Sequence, residues 1–119
     1  MNIIRNEKIT RIAVSSQNYN SYNIDLDNSP QKVILNQDSI GVIINGILNA
    51  KGYSYSHPLI NCDFMIRIYF KNSESIDCNV FNSSNNATVF VLYKLNKERI
   101  GNFRNDNLNN IICEFLEER

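Results

Sequence analysis

The sequence predicts an α+β fold: an antiparallel sheet of four to six strands with two amphipathic helices, at about 38–51 and 106–118, on one face. Three observations lead there. Apolar residues alternate in short runs, above all at Phe64, Ile66, Ile68 and Phe70, the period of a strand with one buried face. Two other stretches carry apolar residues at helical spacing, one stripe each. Two such helices need a sheet face to bury those stripes, and one sheet covered on one side is the simplest arrangement.

In chain order, residues 11–15 read as a strand through Ile12 and Val14, with Ile9 out of phase. Tyr22, Ile24 and Leu26 alternate with Asn23 and Asp25, a second short strand. Asp27, Asn28, Ser29 and Pro30 form a turn. Residues 32–35 are apolar and either extend or lead into the first helix. That helix carries Ile40, Ile43, Ile44, Ile47 and Leu48 on one stripe, with Asn36 or Asp38 as its cap. Gly52 sits where a left-handed glycine would end it. Residues 62–71 form the strongest strand. With Asn72, Ser73 and Glu74 as the loop, Phe70 opposes Ile76, Ile68 opposes Cys78 and Ile66 opposes Val80, which keeps the apolar faces together. Residues 87–95 are an apolar interior strand. A turn at Asn96 and Lys97 sets Phe90 against Phe103. The last helix is capped by Asn105 or Asp106, with Leu108, Ile111, Ile112, Phe115 and Leu116 as its stripe.

The 119 residues fit a single domain, 1–119, large enough to fold without a metal or disulfide staple. Twelve basic and twelve acidic residues cancel, so no electrostatic field favours nucleic acid. The densest basic run, at 94–99, is interrupted by Glu98 and reads as a solvated hairpin tip. No apolar stretch approaches a membrane span, and the first residues carry no signal-peptide core.

Little in the chain points to catalysis, and no cofactor or metal is expected. Cys62, Cys78 and Cys113 lack metal-ligand spacing and read as small buried residues. His57, the sole histidine, stands beside Pro58 in a loop with no nucleophile signature nearby. Asp63, Asp77 and Arg67 fall on the wetter sheet face, where an acid pair would be catalytic but cross-strand pairing is the plainer account. The four glycines are isolated, so no phosphate loop exists. The remaining candidate is aromatic: Tyr19, Tyr22, Tyr53 and Tyr55 lie among Asn and Ser in two loop-like regions, a composition suited to protein contact.

Several stretches bear on a family. They are Ser21-Tyr22-Asn23-Ile24; the helix end Ile47-Leu48-Asn49-Ala50-Lys51-Gly52-Tyr53; and the strand Cys62-Asp63-Phe64-Met65-Ile66-Arg67-Ile68. Together with the closing strand, turn and helix at 88–116, they resemble small bacterial lipoproteins of the uncharacterised family called domain of unknown function 4136. The resemblance implies a periplasm-facing domain tethered to a bacterial membrane through a lipid, whose anchoring cysteine is absent from this sequence. It transfers no catalytic residues. The expectation is a non-enzymatic envelope domain that binds an unidentified protein, as an accessory part of an envelope or secretion assembly. The alternatives are a cytoplasmic adaptor domain and a small enzyme with a site near His57.

Overall fold

A computed structural model describes residue 4 and residues 8–16, 25–53, 63–82, 88–94 and 96–117. Its elements are β1 (Ile9–Ser16), β2 (Lys32–Ile34), α1 (Gln37–Leu48), β3 (Lys51–Gly52), β4 (Phe64–Phe70), β5 (Ser75–Asn82), β6 (Thr88–Lys94), β7 (Arg99–Arg104) and α2 (Leu108–Glu117). The seven strands form one antiparallel sheet in the order β2-β1-β4-β5-β6-β7-β3. The α+β class therefore holds, with seven strands in place of four to six. The added strands are short edge pieces, three and two residues long.

The core lies between one sheet face and the two helices. Ile12, Val14, Ile66, Ile68, Ile76, Cys78, Val80, Phe90 and Leu92 meet Ile40, Ile43 and Ile47 of α1 and Leu108 and Ile112 of α2 there. Each of these side chains is almost fully buried, worth roughly 1.5–3 kcal/mol for each large aliphatic removed from water. Phe90 pairs with Phe103 as the alternation predicts, their ring centroids 5.6 Å apart. Ile9 and Ile12 both reach the core because the register slips between Ile9 and Arg11. One extra residue flips the side-chain phase, which explains why Ile9 looks out of step in the sequence.

Asn36 caps α1: its side chain accepts from the N–H groups of Asp38 (2.9 Å) and Ser39 (3.1 Å). The helix runs 37–48 where the sequence predicts 38–51. It stops early because Asn49 serves as its C-cap with an ordinary φ of −85° and Lys51 turns into β3. Gly52 is thus not a left-handed cap: it pairs with Phe103 at the sheet edge, and no described glycine has positive φ. α2 runs 108–117 in place of 106–118. Asn105 Oδ1 accepts from the Asn107 N–H just ahead of the helix, whereas the Asp106 carboxylate does not cap it and turns to the Thr88 N–H and Arg104.

Two further expectations are corrected. β4 and β5 pair as Ile66↔Cys78 and Ile68↔Ile76, two residues away from the predicted register. The loop is Lys71-Asn72-Ser73, closed by the Phe70 N–H on the Glu74 carbonyl (2.9 Å), with Ser73 at φ 73°. A slip of two keeps every side chain on its face, so alternation cannot detect it. Leu26 is not in a strand. It sits in a turn closed by the Ser29 N–H on the Asp25 carbonyl (2.9 Å), and the Asp25 carboxylate takes the N–H groups of Asp27 and Asn28. Tyr22 and Ile24 lie outside the described residues.

The sheet face away from the helices is less wet than predicted. Ala13, Ser15, Val89 and Val91 are buried there, and Leu26 is 4% exposed. Asp27 anchors the turn over this face by pairing with Arg67 (3.1 Å) and accepting from the Tyr69 hydroxyl.

Candidate functional site

The residues predicted to carry chemistry fall into three groups. Tyr19, Tyr22, Tyr55, His57 and Cys62 lie outside the described residues. Asp77 and Arg67 are cross-strand partners, Arg67↔Asp77 in the ladder. The guanidinium donates through Nε (2.6 Å) and Nη2 (3.0 Å) to the two carboxylate oxygens. Arg67 also reaches Asp27, and the Arg11 guanidinium stacks 4.0 Å from the centre of the Tyr69 ring. Arg67, Asp77 and Asp27 are each paired with an opposite charge, and Arg11 rests on the Tyr69 ring. Asp27 is held below its ordinary carboxylate range, first by the Tyr69 hydroxyl and then by Arg67. Such a carboxylate is a poor base at neutral pH, since efficient general bases titrate near the working pH. Asp63 lies outside this network, its N–H on the Val80 carbonyl (2.8 Å).

The described cysteines are equally unsuited to nucleophilic work. Cys78 is fully buried in the core. Cys113 donates to Asn109 Oδ1 at 3.8 Å. Burial, then the charges of Glu117 and Asp63, push its thiol up, away from the reactive thiolate. Among the described residues no His, Cys, Asp and Glu side chains gather into a metal-sized cluster.

Tyr53 is the predicted contact residue that the structure describes, and it does line a groove. The groove, about 460 Å³, is formed by Asn49, Lys51, Gly52, Tyr53, Arg104, Asn105 and Asp106. Its walls are built by three local devices. β3 follows α1 after two residues and pairs with the end of β7, Lys51↔Arg104 and Gly52↔Phe103. The Tyr53 N–H continues that ladder to the Asn102 carbonyl (3.0 Å). Alternation places Lys51, Tyr53 and Arg104 on one side, with the Arg104 guanidinium 5.7 Å from the Tyr53 ring centre.

The floor is a polar junction. Asp106 grips Arg104 bidentately (2.9 and 3.0 Å) and accepts from the Thr88 N–H (3.0 Å). Arg104 holds the Asp106 carboxyl below its ordinary range, with the Thr88 N–H adding to the effect. Asn105 works both ways: its Oδ1 accepts from the Asn107 N–H (3.1 Å), and its Nδ2 donates to the Gly46 carbonyl of α1 (2.7 Å). The result is a hydrogen-bonded rim with an aromatic ring, a guanidinium near its face, an ammonium and several amides. Ligand pockets for small molecules are mostly apolar and enclosed; this groove is partly open, and polar and apolar atoms share its lining about equally. Tyr beside Arg, ringed by polar groups, is the composition of a protein-contact hot spot.

Sequence reasoning singles out Tyr53 and misses its neighbours. Asn105 and Asp106 stand out there only as helix caps. Lys51 and Arg104 carry no local signal, because some fifty residues separate them and only strand pairing joins them.

No protein-family model matches this chain, and no curated protein and no solved structure matches it. Among the described residues no helix is long and apolar enough to cross a membrane.

Proposed function

We propose that this chain is a non-enzymatic protein-binding domain whose contact surface is the groove around Tyr53 and Arg104. The observation that carries the reading is the Tyr53–Arg104 pair, the guanidinium 5.7 Å from the ring centre, on a rim held by two cross-strand pairs and the Asp106 junction. A pre-ordered aromatic and guanidinium lose little entropy on docking, which is why Tyr and Arg dominate binding energies. The paired and depressed carboxylates, with the protonated Cys113, support binding over catalysis. The setting we propose is the bacterial envelope, as the periplasm-facing part of a lipoprotein; a cytoplasmic adaptor domain is the alternative. The support for the envelope is the family resemblance of the helix end at 47–53 and the strand at 62–68.

Two measurements test these readings separately. A photo-crosslinking amino acid at position 53 should yield one discrete protein adduct in cells that make the protein. The same probe at exposed Lys71, on the β4–β5 loop, should not. Equal adducts at both positions, or none at 53, reject the groove as the contact surface. Membrane fractionation with an intact mass of the native N-terminus decides the setting. A diacylglyceryl-modified cysteine supports the envelope, and an unmodified cytosolic chain supports the adaptor.

A further inference from the structure

The opposite sheet edge carries a second surface. Three large apolar side chains are exposed among the described residues: Val33 (40%), Leu35 (66%) and Val42 (48%). Two of them belong to β2 or continue it. Which backbone groups of β2 face outward follows from the ladder. In an antiparallel pair, hydrogen-bonded and non-bonded residue pairs alternate. The Phe70 N–H bonds toward β5, so Ile68 and Ile66 do too. Arg67 and Met65 therefore turn toward β1, opposite Ala13 and Ser15. Ile12 and Val14 are left to bond Ile34 and Lys32 of β2. Ser16 continues this series, with its N–H on Gln31 Oε1 (2.9 Å). Val33 is thus the β2 residue whose N–H and C=O point away from the sheet. Leu35 follows in the same phase, since the chain stays extended through Asn36 (φ −69°, ψ 126°).

This edge is self-complementary. Residues 31–37 read Gln-Lys-Val-Ile-Leu-Asn-Gln, a segment whose polar and apolar positions mirror each other about Ile34. Laid antiparallel against its own copy, with Ile34 facing Ile34, it sets Val33 against Leu35 twice on one face and Lys32 against Asn36 twice on the other. No like charges meet. Val33 and Leu35 are both outward-bonding residues, so this register also pairs N–H with C=O. The braces on either side make the edge rigid: Gln31 Oε1 accepts from Ser16, and Gln37 Nε2 donates to the Ile9 carbonyl (3.3 Å). A formal net charge of zero leaves no long-range repulsion between copies.

We infer that the β2 edge binds a second copy of this chain, joining two seven-stranded sheets across a two-fold axis at Ile34. Two Val–Leu cross-strand pairs and the shared backbone bonds hold the pair. The contact is independent of the groove at Tyr53, which lies at the other end of the sheet. Strand pairing over so few residues covers less than the ~1,200 Å² typical of the smaller stable interfaces, so the dimer is a concentration-dependent one.

Sedimentation velocity on the full chain, from micromolar to millimolar protein, is the test. The expected result is a reversible monomer–dimer equilibrium, with slower hydrogen exchange at the Val33 amide as concentration rises. Val33→Pro removes the outward N–H at a position where an edge strand tolerates proline, and Leu35→Lys places a charge against its neighbour. Each should weaken the dimer by about tenfold or more. Leu35 is exposed enough that its variant should keep the wild-type melting temperature, so the test stands even where the proline disturbs β2. A single monomeric species up to millimolar protein overturns the inference. So does a dimer that Leu35→Lys leaves intact, or a Val33 amide whose exchange is indifferent to concentration.

Discussion

Arg67 is the residue on which the outer sheet face turns. Its side chain is 21% exposed and serves two carboxylates, Asp77 across the ladder and Asp27 in the β1–β2 connection. Replacing it with alanine leaves Asp77 partly buried without its cation and frees the Asp27 turn. Screening by solvent lowers the loss relative to a fully buried pair, so the expected destabilisation is about 1–2 kcal/mol by urea titration. Arg67→Lys should recover only part of it, because an ammonium cannot bridge both oxygens of Asp77. Among the described residues two carry backbone strain: Ser73 at φ 73° and Lys97 at φ 67°. Both are third residues of hairpin loops, and in each the preceding asparagine takes the N–H two positions on, Asn72 from Glu74 and Asn96 from Glu98 (3.0 Å each). Glycine adopts this conformation without a Cβ clash. Lys97→Gly should therefore raise stability by about 0.5–1 kcal/mol, seen as a higher melting temperature.

At the scale of elements, the two glycines of α1 make a controlled contrast. A Cβ at Gly41 meets nothing within 4 Å, whereas at Gly46 it falls 3.2 Å from Leu108 Cδ1 and 3.5 Å from Ile111 Cδ1. Gly46 is where the two helices touch, and Leu108 is fully buried and has little room to yield. Gly41→Ala should stabilise the protein by up to about 1 kcal/mol through helix propensity alone. Gly46→Ala should lose about 1–2 kcal/mol despite the same propensity gain, because overpacking outweighs it. Equal effects in chemical denaturation would show that the helices do not meet at this point. The Asn105 amide on the Gly46 carbonyl fastens the same crossing, and Asn105 also lines the groove.

For the molecule as a whole, stability should depend on pH through carboxylates spread over the surface. Asp25, Asp27 and Asp106 are all held below their ordinary value, chiefly by Asn28, Tyr69 and Arg104 respectively. A carboxylate lowered in the folded state stabilises it above the unfolded value, and that contribution is lost as pH falls through the lowered one. The urea midpoint should thus hold near neutral pH and drop below about pH 4. Asp27→Asn should flatten that drop. Tyr69 acts in the opposite sense: burial, then the Asp27 charge, push its phenol up. Its contribution is complete below the ordinary tyrosine value and disappears as pH climbs through the raised one.

What the sequence determined is whatever repeats at short range. The stripe at Ile40, Ile43, Ile44 and Ile47, the cap at Asn36, the alternation through Phe64–Phe70 and the Phe90–Phe103 pairing are all legible, because side-chain period and turn length dictate them locally. Tyr53 stands out from composition alone, as an aromatic residue among small polar ones, and the structure places it on the wall of a groove. Tertiary structure alone decided the rest. The β4–β5 register moved by two, since both registers satisfy the same alternation and only the loop at Ser73 separates them. The edge strands β2 and β3 are too short to carry a period and exist because longer neighbours offer them hydrogen-bonding partners. The groove joins Lys51 to Arg104 and Asp106 through strand pairing, and the clamp of Arg67 on Asp27 joins residues forty apart. Periodicity reports which face a residue takes; which partner it meets there depends on contacts distant in the chain, and those the fold supplies.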